Sequence, residues 1–260
     1  MADMNNQLKN LVNKKGLILG VANEHSIAYG CALEAIHRGA DVIATCLNQK
    51  AHDAVESLAK DIQLPLAVCN VESESELVAL YQQVSSQFGQ LDFLIHSIAW
   101  APLQELHGRV IDTSPEGFSK AMNISCHSFA RVAKLFAPLM SSGGSMVTMS
   151  YLGADEVVEH YGLMGPVKAA LESLVKYMAV ELGPQNIRVH ALSPGPIPTR
   201  AASGIEEFDE LIKKSSEKSA LKRLPNLKEI STATLFLCSD DASGMTGQTI
   251  YVDGGCHAVA

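Results

Sequence analysis

Seven short apolar runs, separated by longer amphipathic stretches, constrain this chain more than any other feature. "GLILGVA" (16–22), "DVIATC" (41–46), "PLAVCNV" (65–71), "LDFLIHS" (91–97), "GSMVTMS" (144–150), "IRVHALS" (187–193) and "TIYVDGG" (249–255) read as strands. Their hydrophobicity is continuous rather than alternating, as in strands buried on both faces. The segments between them have helical period, as in "SIAYGCALEAIHRG" and "ESELVALYQQVSSQFG". The second ends at Gly89, a helix C-cap. Strand–helix alternation over the whole length predicts an α/β fold built on a doubly wound parallel sheet of about seven strands, with helices on both faces. No repeat, low-complexity segment or linker interrupts it, so residues 1–260 read as one domain. The stretch from Ser193 to about Arg223 departs from the pattern: rich in Pro and Gly at first, then polar and helical. At the carboxyl edge of such a sheet, residues from about 197 to 223 would form a helical lid.

Composition narrows the function. A hydrophobic fraction of 47% with 18% charged residues suits a globular enzyme with a buried sheet. The net charge of −8 argues against nucleic acid as a partner, because phosphate binding needs a basic face. Cys31, Cys46, Cys69, Cys126, Cys238 and Cys256 form no C-x-x-C pair and sit mostly in apolar runs, as core thiols of a reducing compartment. The nine histidines include no H-E-x-x-H, and no Cys/His cluster has zinc spacing, so no metal is expected. "MADMNNQLKNLVNKKG" lacks the apolar stretch of a signal peptide, and no run approaches a membrane span. The expectation is a cytoplasmic protein with no membrane partner.

The chemistry-bearing residues lie in "MSYLGADEVVEHYGLMGPVKAALESLVKYMAVELG". The run from Tyr161 to about Leu182 reads as a helix. At about 3.6 residues per turn, Tyr161 and Lys168 then share one face, two turns apart. A neighbouring ammonium favours negative charge and makes a phenol a better donor. Tyr151, ending the preceding strand, can reach the same pocket from a loop. Taken alone, the pair also fits two surface residues of a helix. At the other end of the chain, Gly20 closes the first strand in "GVANEHSIAYG". Such a turn lets backbone N–H groups approach a pyrophosphate at a helix N-terminus, although the usual G-x-G-x-x-G is missing. Ser26 fits both an N-cap and a phosphate ligand. The second strand ends in "ATCLNQK", with no acid to bind a ribose 2′-hydroxyl and with Lys50 nearby.

Tyr-x9-Tyr-x6-Lys between strand and helix resembles the enoyl-acyl carrier protein reductases, a divergent branch of the short-chain dehydrogenase/reductase superfamily. "GVANEHSIAYG", "LDFLIHSIAWAP", "SPGPIPTRAASGI" and "FLCSDDASGMTGQTIYVDGG" resemble the same branch, from about Lys15 to Gly255. The resemblance implies a Rossmann-type domain that uses NADH, with NADPH as the alternative, to reduce the 2,3 double bond of an enoyl thioester in fatty-acid synthesis. It implies Tyr151, Tyr161 and Lys168 as catalytic residues: Tyr161 the donor to the enolate oxygen, Lys168 the holder of the nicotinamide ribose, Tyr151 on the acyl pocket. It implies cofactor contacts from Gly20, Ser26, Ile27, Leu47, Asn70, Val71, Ser97, Ile98, Ala99, Lys168, Pro196, Ile197 and Thr199. Ala101, Met164, Ile205 and Phe208 join the two tyrosines as candidates for the acyl wall, and each also fits a core position. Asn123 stands near a structural asparagine of ordinary superfamily members.

The partners implied are an acyl carrier protein and three further copies of the chain, in a homotetramer. One departure bears on the first. The lid helix begins "EEFDELIKK", where Glu206, Glu207, Asp209 and Glu210 reverse the sign of the basic residues found in relatives. An acidic carrier is then expected either over Lys213, Lys214 and Lys218 or replaced by a specialised carrier or coenzyme A. A keto or alcohol dehydrogenase of the superfamily and an idle dinucleotide-binding protein are the rival readings. The i, i+7 spacing and second tyrosine oppose the former, and the intact Tyr/Lys pair opposes the latter.

Overall fold

The computed structural model describes residues 10–199 and 207–259. All seven predicted strands form: β1 (Lys15–Leu19), β2 (Asp41–Cys46), β3 (Leu66–Val68), β4 (Phe93–His96), β5 (Gly144–Met149), β6 (Ile187–Pro194) and β7 (Thr249–Val252). They make one parallel sheet in the order β3-β2-β1-β4-β5-β6-β7. β3 is shorter than its apolar run, because at the edge of the sheet only three residues find partners in β2.

The continuous apolar runs have a direct cause. Successive side chains of a strand point to opposite faces. Leu17 and Leu19 of β1, Leu94 of β4 and Met146 of β5 enter one core. Ile18, Phe93, Ile95, Val147 and Met149 enter the other. Both faces are covered by helices: α1 (Ile27–His37), α2 (Gln49–Asp61), α3 (Glu74–Phe88), α4 (Leu103–His107), α5 (Pro115–Met122), α6 (Ser128–Phe136), α7 (Met164–Leu182), α8 (Phe208–Lys218) and α9 (Leu227–Cys238). α3 shows why such segments start and stop where they do. The Ser73 hydroxyl accepts from Glu76 N, a cap worth about 1 kcal/mol. Gly89 ends the helix at φ 70, as its sequence predicts.

α5 and α6 are parts of one nearly continuous helix, joined by a π-turn at Asn123–His127. π-turns of this kind occur often at functional sites. Here it sets Ser125 against the loop after β4, where its hydroxyl accepts from Trp100 N and donates to Trp100 O, both at 2.7 Å. The chain reverses its winding between β1 and β4, which opens a crevice at their carboxyl ends. α8 falls within the stretch read as a lid; residues 200–206, which include the candidate Ile205, lie outside the described residues.

Candidate active site

The crevice holds a cavity of about 200 Å³ lined from the ends of β1, β4, β5 and β6 and from α7 and α8. Gly20 follows β1 at φ 106. A Cβ there would lie 2.1 Å from Ser97 O, so only glycine lets the ends of β1 and β4 come this close. Beyond it, Ser26 occupies the N-cap of α1 but does not cap it. Its hydroxyl donates to Asn23 O at 2.6 Å and accepts from Ala22 N at 3.4 Å. The expected capping role is thereby corrected: the hydroxyl instead folds the 22–26 turn. The first turn of α1 keeps its N–H groups uncapped by a side chain and carries no acid, so it suits an anionic pyrophosphate.

Gly20, Ser26, Ile27, Ser97, Ile98, Ala99, Pro196, Ile197 and Thr199 all line the cavity, as the sequence reading expects. Leu47, Asn70 and Val71 do not. They lie beyond the ends of β2 and β3, outboard of the cavity, with Leu47 55% exposed. Asn70 Oδ1, on a residue expected to contact the cofactor, already accepts from Glu72 N at 3.0 Å. Val71 O accepts from Arg131 Nη1 at 2.9 Å.

The Tyr/Lys pair meets, though not by the route its spacing suggests. α7 begins at Met164, so Tyr161 sits in the turn before it, between His160 at φ 59 and Gly162 at φ 43. The two residues therefore do not share a helix face, and a tertiary turn brings the phenol inward. Gly153 makes room for the ring, since a Cβ there would lie 2.4 Å from it. Tyr151 packs edge-on against Tyr161, ring centroids 4.8 Å apart. Lys168 is buried one turn into α7 and donates from Nζ to Met149 O at 2.6 Å.

Burial pushes the Tyr161 phenol well up, and Tyr151 and Glu172 push the same way. A phenol raised in this way keeps its proton to donate, while the Lys168 ammonium donates to Met149 O. Burial in turn pulls the Lys168 ammonium down to about 8, against the opposing pull of Cys126 and Glu172. His96, behind Lys168, is held down to about 3 by burial and then by that ammonium. Thr148 and Ser128 hydroxyls, at 3.0 and 2.8 Å, satisfy its two ring nitrogens.

Ala101, Met164 and Phe208 line the cavity with both tyrosines, as the acyl-wall reading expects. Trp100, Leu106 and Leu211 complete that wall and were not singled out by sequence. The i, i+3 pairing of Phe208 and Leu211 on α8 was the available signal. Asn123 lies in the π-turn, outside the cavity lining. Side-chain contacts link α8 to the segment before Tyr161. Lys214 pairs with Glu159 at 2.9 Å, Lys218 with Glu156 at 3.1 Å, and His160 with Glu207 at 3.4 Å. Two of the lysines expected to receive a carrier are thus engaged with the loop that carries Tyr161.

A dinucleotide cradle facing a buried tyrosine and lysine at the switch point of a parallel sheet defines a nicotinamide-dependent oxidoreductase of the short-chain dehydrogenase/reductase type. A family model described as enoyl-(acyl carrier protein) reductase matches residues 20–257. The NADH-dependent enoyl-acyl carrier protein reductase 1 of Rhizobium meliloti is 41% identical over 97% of this chain and 94% of its own. The NADPH-dependent enzyme of Staphylococcus aureus (strain MRSA252) is 40% identical over 96% of this chain and 99% of its own. Among solved structures, the reductase of Anaplasma phagocytophilum in complex with NAD superposes at a TM-score of 0.93, with 41% identity over 96% of each chain. The chain belongs to the enoyl-acyl carrier protein reductase family.

Proposed function

We propose that this chain uses NADH to reduce the 2,3 double bond of an enoyl thioester in fatty-acid synthesis, acting as one reductase domain. The observation that carries the reading is the buried Tyr151–Tyr161 pair beside Lys168, open to the cradle at Gly20 on one side and to an apolar wall on the other. The nicotinamide supplies the hydride to C3 of the substrate. Charge then gathers on the thioester oxygen, and the protonated Tyr161 is the donor placed to receive it. Lys168, positioned at the end of β5, would hold the ribose, with Pro196 and Ile197 at the nicotinamide amide, Thr199 near the pyrophosphate, and Ser97, Ile98 and Ala99 along the cofactor, Ile98 near the adenosine ribose. The apolar side chains of Trp100, Leu106, Met164, Phe208 and Leu211 keep water from the enolate.

The natural acyl donor is read as an acyl carrier protein. The acidic start of α8 favours a second reading: a specialised carrier or coenzyme A. Among the described residues no helix is long and apolar enough to cross a membrane. We further read the enzyme as a cytoplasmic homotetramer. Tyr177 and Val180 on the outer face of α7 are 70% and 78% exposed, and Phe118 of α5 adds to the uncovered apolar surface. Loss of NADH absorbance with crotonyl-coenzyme A, against acetoacetyl-coenzyme A and NADPH as controls, tests the reaction. Turnover of the keto substrate alone would reject it.

A further inference from the structure

Lys168 and Glu172 lie one turn apart on the same face of α7. Both reach the end of β5, at consecutive residues: Lys168 Nζ donates to Met149 O at 2.6 Å, and Glu172 Oε1 accepts from the Ser150 hydroxyl at 2.5 Å. Ser150 N in turn donates to Leu192 O of β6 at 2.7 Å, so the strand end is held from two sides. The next residue is Tyr151, whose ring packs on Tyr161. A two-pronged grip on Met149 and Ser150 therefore aims the tyrosine pair.

Resting on the reading of this cleft as a reductase site, we propose that Glu172 is a positioning residue. It grips the end of β5 through Ser150 and places a carboxylate one helical turn from the buried Lys168.

The groups facing Lys168 come from every element around it. The π-turn presents Cys126 and β4 presents His96; Tyr151 and Tyr161 lie in the 151–161 segment, and Glu172 on α7 itself. Tyr251 of β7 also feels Glu172, together with Asp155, Asp253 and Glu156. Burial pushes the Cys126 thiol and the phenols up and His96 down, so all of these are neutral near pH 7. Glu172 is the carboxyl group that lies one turn from Lys168 on the same helix face. Burial lowers the Lys168 ammonium to about 8, and Glu172 acts in the opposite direction.

Two variants separate the grip from the charge. Glu172→Gln keeps an acceptor for Ser150 and removes the charge, whereas Ser150→Ala removes the grip and keeps it. Trp100 is the chain's one tryptophan and lines the cavity, so its quenching by NADH reads cofactor binding independently of turnover. Because Lys168 binds cofactor as the cation, affinity falls as pH rises through its titration. In Glu172→Gln that fall should move down by about one pH unit, weakening NADH binding roughly fivefold at pH 8. The alkaline limb of kcat/KM should move with it. Ser150→Ala should lower kcat several-fold at every pH and leave both curves where they are. Should Glu172→Gln fail to fold, Glu172→Asp keeps the charge and shortens the reach, and should behave like Ser150→Ala. A Glu172→Gln curve merely scaled down, or a Glu172→Asp curve with its limb displaced, overturns the proposal. If the wild-type enzyme reduces no enoyl thioester, the binding curves still decide the role of Glu172, while the functional reading falls alone.

Discussion

Tyr161 works because it is dry. Burial raises its phenol, so in the proposed reaction it would meet developing negative charge with its proton still in place. Tyr161→Phe should cut turnover by about 10²–10³ while NADH binding changes little, since one donor to an oxyanion is lost and no cofactor contact. Stopped-flow hydride transfer together with Trp100 quenching checks both halves of that statement. Lys168 differs in kind. Lys168→Ala should weaken NADH binding as well as turnover, and unchanged affinity would remove it from the ribose. In the wild type, activity should decline as pH rises through about 8, the value to which burial lowers the ammonium, if the cation holds the ribose as proposed. Lys168→Arg should restore binding only in part, since a planar guanidinium does not fit where a compact ammonium donates to Met149 O.

At the scale of elements, α8 is a lid whose inner face is apolar and whose outer face is a clasp. Phe208 and Leu211 face the cavity, while Lys214, Lys218 and Glu207 reach Glu159, Glu156 and His160. Each of these pairs is exposed or only partly buried and weak alone, yet together they link α8 to the loop that ends in Tyr161. Lys214→Glu with Lys218→Glu should therefore raise KM for enoyl substrates and make the protein's activity less sensitive to salt. The acidic start of the helix has the opposite lesson. Replacing Glu206, Asp209 and Glu210 with lysine should raise kcat/KM for an acidic acyl carrier protein roughly tenfold at low salt. Crotonyl-coenzyme A, which reaches the cleft without docking on α8, should be reduced at an unchanged rate. A carrier reaction indifferent to the reversal would place docking elsewhere. Lys214 and Lys218 are poor candidates for that role while they hold the loop.

For the whole molecule, the seven-stranded sheet buries its own faces with helices but leaves apolar side chains uncovered on the outside of α7 and α5. Symmetric pairing of such faces in the proposed D₂ arrangement would cover them and make a particle of roughly 110 kDa, four times the 27.8 kDa chain. Light scattering at micromolar concentration checks the mass. Tyr177→Glu should shift it downward by placing a charge in the pairing face, and an unaffected tetramer would assign the contact to another surface. Because α7 also supplies Lys168, dissociation should lower kcat along with mass.

What the chain determined by itself was what depends on neighbours in sequence. Continuous apolar runs record burial on two faces, so all seven strands and the sheet class were legible, as were the Gly20 turn and most of the cavity lining. Family motifs carried Tyr151, Tyr161 and Lys168 to the same place. What only the tertiary structure decided depends on residues far apart in the chain. Spacing put Tyr161 on the helix, yet the turn between His160 and Gly162 puts it ahead of α7, because Gly153 leaves the ring a place to pack. Ser26 looks like a cap, yet its hydroxyl finds Asn23 O nearer than the helix. Glu172 reads as one more surface acid of an amphipathic helix until β5 brings Ser150 to it. The lysines of α8 read as free until the loop before Tyr161 offers its carboxylates. Periodicity reports which face a residue occupies; the partner on that face is supplied by another part of the chain, and hydrogen bonds and ion pairs are set by that partner.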